Sequence, residues 1–150
     1  MGVPGPEFER FDERVAAGLA SMNDRMTGLP AYLGLRITDV SAGRMRAEIE
    51  ITEELHTPFG NLHGGVIAAL VDHVLGTVLY PVVEPGAWAA TTEFKLNYLA
   101  PVTRGTLAAD AEIVSITRST AVVRIEVANE GRAVALAQGT VLIKAPKARG

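Results

Sequence analysis

The residues best suited to chemistry stand close together in this chain: His63-Gly64-Gly65, with Asp72 eight positions beyond Gly64 and His73 beside it. Inside a helix, two glycines cost about 1 kcal/mol each relative to alanine, so they belong at its first turn. There they leave backbone N–H groups uncovered, and with the helix dipole behind them such groups suit a polarised carbonyl or a developing oxyanion. The same glycines would also let a helix end pass close to a strand, a plain packing role. Asp72 lies in a nearly all-apolar run, where a carboxylate is almost never buried without a partner. It is either paired with a basic residue of a strand or capping a neighbouring loop, or it is a general base or nucleophile, partly desolvated to suit. The apolar surroundings favour the second reading.

Other chemistries fit poorly. His63 and His73 on one helix differ by roughly 80° in direction and about 15 Å in height, too far apart for one zinc ion. HExxH is absent and no metal site is expected. The serines occur as ASM, VSA, VSI and RST, none in a G-x-S-x-G elbow. Cysteine is absent altogether, which removes thiol catalysis and disulfides. There is no Walker loop and no dinucleotide fingerprint, so no cofactor is implied. A net charge of −3, from 14 basic and 17 acidic residues, with 5% aromatics, argues against a nucleic-acid binder.

The elements that must position these residues can be read in order. Residues 7–26 have helix-forming composition, with Phe8, Phe11, Val15 and Leu19 spaced three and four apart, and Gly28 and Pro30 end the pattern. Strands are expected over 33–40 and 44–51 around the turn Ser41-Ala42-Gly43; Met45, Ala47, Ile49 and Ile51 alternate with charged residues in the second. A loop over 53–62 leads into an apolar helix over 63–80. Four strands follow, over 88–99, 105–117, 121–129 and 132–144, and the first sets Phe94, Leu96 and Tyr98 against Glu93, Lys95 and Asn97. Their links, Pro101-Val102-Thr103-Arg104, Arg118-Ser119-Thr120 and Glu130-Gly131, are short enough for hairpins.

A helix apolar on nearly every side must be surrounded, and only the sheet is large enough to do it. The expected class is α+β: one curved antiparallel sheet wrapped around a long central helix. At 150 residues and 48% hydrophobic composition this is one compact domain, with an N-terminal helical extension (1–30), the sheet-and-helix domain (31–145) and a basic tail (146–150). The apolar stretch 66–83 approaches the length of a membrane span. Asp72 and His73 stand at its middle, Pro81 lies near its end, and no basic cluster flanks it. The N-terminal region carries acids where a secretory signal carries basic residues, so a cytoplasmic protein without membrane contact is expected.

The stretch HTPFGNLHGGVIAALVDHVLGTVL, followed by ATTEFKLNYLAPVTRGTLAADAEIV, resembles the hotdog-fold acyl-CoA thioesterases of the phenylacetate-pathway (PaaI-like) and 4-hydroxybenzoyl-CoA thioesterase type. The resemblance spans about residues 31–144. It implies a hotdog fold, hydrolysis of an acyl-CoA thioester without metal or cofactor, and side-by-side homodimers often paired into homotetramers. Residue by residue, it gives Asp72 the part of the catalytic acid and the Gly64 N–H that of the group polarising the carbonyl, with His63 beside it. It gives the Thr91 hydroxyl a share in placing water. Family members often carry Asn six residues before the histidine, where this chain has Thr57; whether Thr57 or Asn61 takes that duty is open. Gly65, next to the carbonyl site, is a substrate-binding candidate, and CoA phosphates call for basic residues near turns, for which Arg118 and Arg104 are candidates. Asp72 either activates water or attacks directly to give an anhydride, and the acyl group is not legible.

Two other readings are carried. A hotdog hydratase or dehydratase would want a histidine facing the acid and a GHFP-like segment, where this chain has GNLHGG. A non-catalytic acyl-CoA-binding domain would keep the fold and lose turnover; Asp72 argues against it, and Thr57 leaves it open. A last expectation is geometric. Gly64 and Asp72 are about 12 Å apart along one helix axis, so Asp72 cannot comfortably serve a carbonyl held at its own helix start. A twofold dimer that sets one helix start beside the middle of the other would make a shared site.

Overall fold

The computed structural model of the chain describes residues 4–148. The N-terminal helix α1 (Glu13–Ser21) is shorter than its composition predicts. Asp12 stops it, since its carboxylate accepts the N–H groups of Arg14 and Val15 at 3.0 and 3.2 Å, a side-chain cap on otherwise orphaned donors. The Asp12 N–H donates to the Pro81 carbonyl at 2.7 Å instead of continuing a helix. Phe8 and Phe11 therefore precede the helix, and Phe8 packs on the main core. Gly28 and Pro30 do not end a helix; they open a second, α2 (Gly28–Tyr32). Gly28 turns in at φ 69°, and Pro30 falls in the first turn, where its missing N–H has no helical partner to lose.

Strands β1 (Arg36–Ser41) and β2 (Arg44–Glu50) form a hairpin through Ala42-Gly43, with Gly43 at φ 70°. The alternation in β2 holds: Met45, Ala47 and Ile49 are buried. The central helix α3 (Gly64–Thr77) follows, then β3 (Trp88–Tyr98), β4 (Thr106–Ile116), β5 (Thr120–Asn129) and β6 (Arg132–Lys144). All six strands make one antiparallel sheet in the order β1-β2-β4-β5-β6-β3.

One expected hairpin is corrected. The 101–104 link does not fold β4 back on β3, because β4 pairs with β2, and β3 takes the free edge of β6. Pro101 has no N–H to offer a ladder. The link is instead tied to the loop before α3, where the Leu62 N–H donates to the Val102 carbonyl at 2.7 Å and the Val102 side chain is buried.

Helix α3 lays Val66, Ile67, Leu70, Val71, Val74 and Leu75 against the sheet. Its other side is not enclosed: Gly65 and Asp72 are exposed, and Ala68, Ala69, His73 and Gly76 only half-buried. No described helix is long and apolar enough to cross a membrane. Where α3 crosses β6, Gly139 leaves room for the approach. A Cβ there would stand 2.6 Å from the Glu93 carbonyl oxygen and 2.8 Å from Leu75 Cδ1. Gly139→Ala is expected to destabilise the fold by about 1–3 kcal/mol through overpacking, read as a drop of several degrees in Tm by calorimetry.

Candidate active site

The loop before α3 is braced at both ends. His56 and Leu62 form an isolated antiparallel bridge, the His63 N–H donates to the Leu55 carbonyl at 2.9 Å, and His56 Nε2 hydrogen-bonds the Thr103 carbonyl at 2.8 Å. Within it, Thr57 and Asn61 hold one another. The Thr57 N–H donates to the Asn61 carbonyl at 2.7 Å and its hydroxyl to Asn61 Oδ1 at 3.0 Å, while accepting the Phe59 N–H at 3.2 Å. The one proton of the Thr57 hydroxyl is thus engaged. Asn61 Nδ2 reaches only the Leu62 carbonyl, at 3.4 Å, too long for a strong bond. Of the two, the Asn61 amide is the freer donor.

At the helix start, the Gly64–Gly65 peptide is held from both sides. His63 Nδ1 accepts the Gly65 N–H at 2.8 Å, a side-chain N-cap, and a neutral ring accepting at Nδ1 carries its proton on Nε2. The Tyr98 hydroxyl donates to the Gly64 carbonyl at 2.9 Å. One peptide earlier, the His63 carbonyl accepts the Val66 N–H at 2.9 Å, while the Gly64 N–H has no partner among the described residues. The outcome is one fixed, unengaged N–H at the positive end of a helix. The Gly65 N–H, which the sequence assigns to substrate, is instead engaged by His63. Packing and chemistry coincide at Gly64, since a Cβ there would lie 3.1 Å from the Tyr98 ring.

Tyr98 is the functional neighbour that the sequence reading misses, taken there only as an apolar strand residue. Tyr98 is 55% exposed, so burial did not demand a partner for its O–H, and nothing local in the sequence pointed to Gly64. Tyr98→Phe removes one hydrogen bond, worth about 0.5–1.5 kcal/mol, with the ring kept in place. A several-fold fall in kcat with an unchanged circular dichroism spectrum is the expected outcome.

Asp72 lies on the uncovered side of α3, in neither an ion pair nor a side-chain hydrogen bond among the described residues. Its exposure corrects the expectation of a partly desolvated carboxylate, at least within one chain, and it also removes the salt-bridge and capping explanations. From Gly64 it is about 12 Å up the helix and about 80° around it. His73, half-buried beside it, is pushed below the ordinary histidine range by burial, which the Asp72 charge partly opposes.

Thr91 reaches the helix side of the sheet through a bulge. Phe94 pairs with Gly139 across the ladder, and Thr91 with the fully buried Val141; the register shifts between Thr91 and Glu93. Cross-strand partners share a face, so the bulge puts Thr91 on the face of Phe94, where strict alternation would put Thr92. Arg104 and Arg118 stand at opposite ends of β4, about 30 Å apart along the strand. One chain therefore cannot bring both to one phosphate group. Among the described residues, no three His, Asp or Glu side chains converge in a metal-binding group.

Comparison with known proteins places the chain in a family. The thioesterase superfamily model matches residues 59–136. The 1,4-dihydroxy-2-naphthoyl-CoA hydrolase of Listeria monocytogenes is 35% identical over 103 residues, covering 69% of this chain and 84% of that protein. Human acyl-coenzyme A thioesterase 13 is 29% identical over 107 residues, covering 69% and 76%. The structure of the E. coli PaaI protein, from the phenylacetic acid degradation operon, superposes with a TM-score of 0.79 at 22% identity, over 89% of this chain and 96% of that one. That likeness gives the hotdog fold. With the family model covering more than half of its length, the chain belongs to the thioesterase superfamily.

Proposed function

We propose that the protein hydrolyses an acyl-CoA thioester to the free acid and CoA in a site shared by two copies of the chain. The observation that carries this reading is the pair of unengaged groups on α3, the Gly64 N–H and the Asp72 carboxylate, too far apart to meet in one chain. In a twofold homodimer the Gly64 N–H of one copy polarises the thioester carbonyl, and Asp72 of the other faces its carbon. Asp72 then either takes a proton from water, whose oxygen attacks and expels CoA as thiolate, or attacks itself to give an anhydride that water cleaves. The Asn61 amide and the Thr91 hydroxyl are the groups suited to holding that water. Docking of the second copy would cover the bare side of α3 and lower the solvent around Asp72.

Both curated relatives described above carry CoA thioester substrates in their names, which supports CoA as the leaving group. On this reading the protein works in the cytoplasm, as a homodimer or as a homotetramer made of two such dimers. The test is a panel of aliphatic and aromatic acyl-CoAs with a thiol-reactive dye. Release of free CoA, abolished in Asp72→Asn, is expected. A change in double-bond absorbance without CoA release would support a hydratase, and saturable binding without either would support a binding domain; each contradicts the proposal.

A further inference from the structure

We propose that the outer edge of β1 is a strand-docking surface, and that this chain fills it with its own N-terminal segment, so that no second copy can add there. The assignment goes beyond the thioesterase reading and does not depend on it. The sheet order leaves β1 and β3 as the two edges, and an edge strand presents unpaired N–H and C=O groups to any extended chain. On β1 one such pair is already taken. Asn23 Oδ1 accepts the Ile37 N–H at 2.8 Å, and Asn23 Nδ2 donates to the Ile37 carbonyl at 2.8 Å.

Two bonds exchanged with one residue are what a facing strand supplies at a hydrogen-bonded antiparallel position. The Asn23 amide carries a donor and an acceptor side by side, and so reproduces that exchange with a side chain. It stands on a single 3-10 turn, Asn23–Arg25, and Asp24 beside it pairs with Arg36 of β1 at 2.9 Å. Before that turn, α1 packs on β1 more than on any other strand, and its Ala16, Ala17 and Ala20 border Thr38, Asp39 and Val40 in a shallow groove. At the far end of β1, Phe8 lies over the turn glycine Gly43 so closely that a Cβ there would strike its ring. The segment from Phe8 to Asp24 therefore follows β1 from its last residues back to its first.

The other edge is treated differently. β3 bonds to β6 on one side, and among the described residues no side chain bonds its backbone. An amide and a helix thus close one edge of the sheet and leave the other as it is. For a chain that works as a closed assembly, this sets where the sheet stops growing. Without the seal, copies joined elsewhere would still offer their β1 edges to one another and extend into larger assemblies.

Asn23→Ala in the full chain tests the seal by exchange and by mass. Hydrogen exchange of the Ile37 amide should quicken about tenfold or more on loss of the two bonds, while the amides of β5 keep their protection. Light scattering should show a mass that grows with concentration beyond the wild-type value. Thr38 is exposed, in the bulge between Ile37 and Asp39. Adding Thr38→Lys to Asn23→Ala should return the wild-type mass, because a lysine on an edge strand blocks pairing without restoring the amide. Asn23→Asp keeps an acceptor for the Ile37 N–H and loses the donor for its carbonyl. It should grow in the same way, with the same relief by Thr38→Lys, and it carries the test where Asn23→Ala does not fold. Unchanged Ile37 exchange in Asn23→Ala, wild-type mass at every concentration in both Asn23 variants, or growth that Thr38→Lys does not relieve would each overturn the proposal. So would growth accompanied by lost protection in β5, which would mark unfolding and not edge pairing.

Discussion

Asp72→Asn is expected to lower turnover of the best acyl-CoA substrate by about 10²–10⁴-fold, the usual contribution of a positioned base, with little change in Tm. The structure makes this a clean substitution. Asp72 is exposed on α3 and supports no ion pair or side-chain hydrogen bond among the described residues, so the fold loses nothing identifiable. Asn has nearly the same size and keeps a carbonyl oxygen, but it can neither accept a proton at neutral pH nor form an anhydride. A purely structural Asp72 would leave kcat within a few-fold of wild type. Steady-state kinetics beside a thermal melt separates these cases, and retention of more than about a tenth of the activity would rule out the proposed role.

Gly64→Pro is expected to cost about 10²–10³-fold in kcat, the range for loss of a single oxyanion-hole donor. Proline removes the one N–H at issue, and the first helical position is where helices tolerate proline best. His63, the preceding residue, already sits at φ −65° and ψ 129°, within the extended ψ range that proline imposes on its predecessor. The added ring atoms would press on Tyr98, whose ring would stand 3.1 Å from a Cβ. Gly64→Ala, which adds the same Cβ and keeps the N–H, controls for that crowding. If the N–H is the functional group, Ala retains most of the turnover and Pro does not. Equal losses in the two variants would make Gly64 a packing residue only.

The sequence carried the site's ingredients better than its surroundings. The alternation of Met45, Ala47 and Ile49 and the apolar run of α3 are periodic signals, and both lead to the observed sheet and helix. Pairing across the sheet is not periodic. Nothing in 101–104 says that β4 will choose β2, because that choice is made by the return of the chain after α3. Local capping was also decisive and hard to rank: Asp12 outweighs the three-and-four spacing of Phe8 and Phe11 by offering its carboxylate to two N–H groups. The bulge after Thr91 and the Tyr98 bond to Gly64 join residues through the ladder and across 34 positions, which no reading of neighbours along the chain supplies. Asp72 is the instructive case. Its apolar flanks suggest burial, yet they line the faces of α3 turned to the sheet, and Asp72 points from the bare side.

Complementation between the two variants tests the shared site most directly. Asp72→Asn and Gly64→Pro chains, each inactive alone, are given different tags, co-refolded and purified as mixed dimers by tandem capture. A mixed dimer joins the intact Gly64 of one chain to the intact Asp72 of the other in one of its two sites, and in the second site both groups are lost. Activity should return to about half of the wild-type rate per dimer. Mixed dimers that form but stay inactive, or a wild-type protein that turns over as a monomer by light scattering, would contradict a site built from two chains.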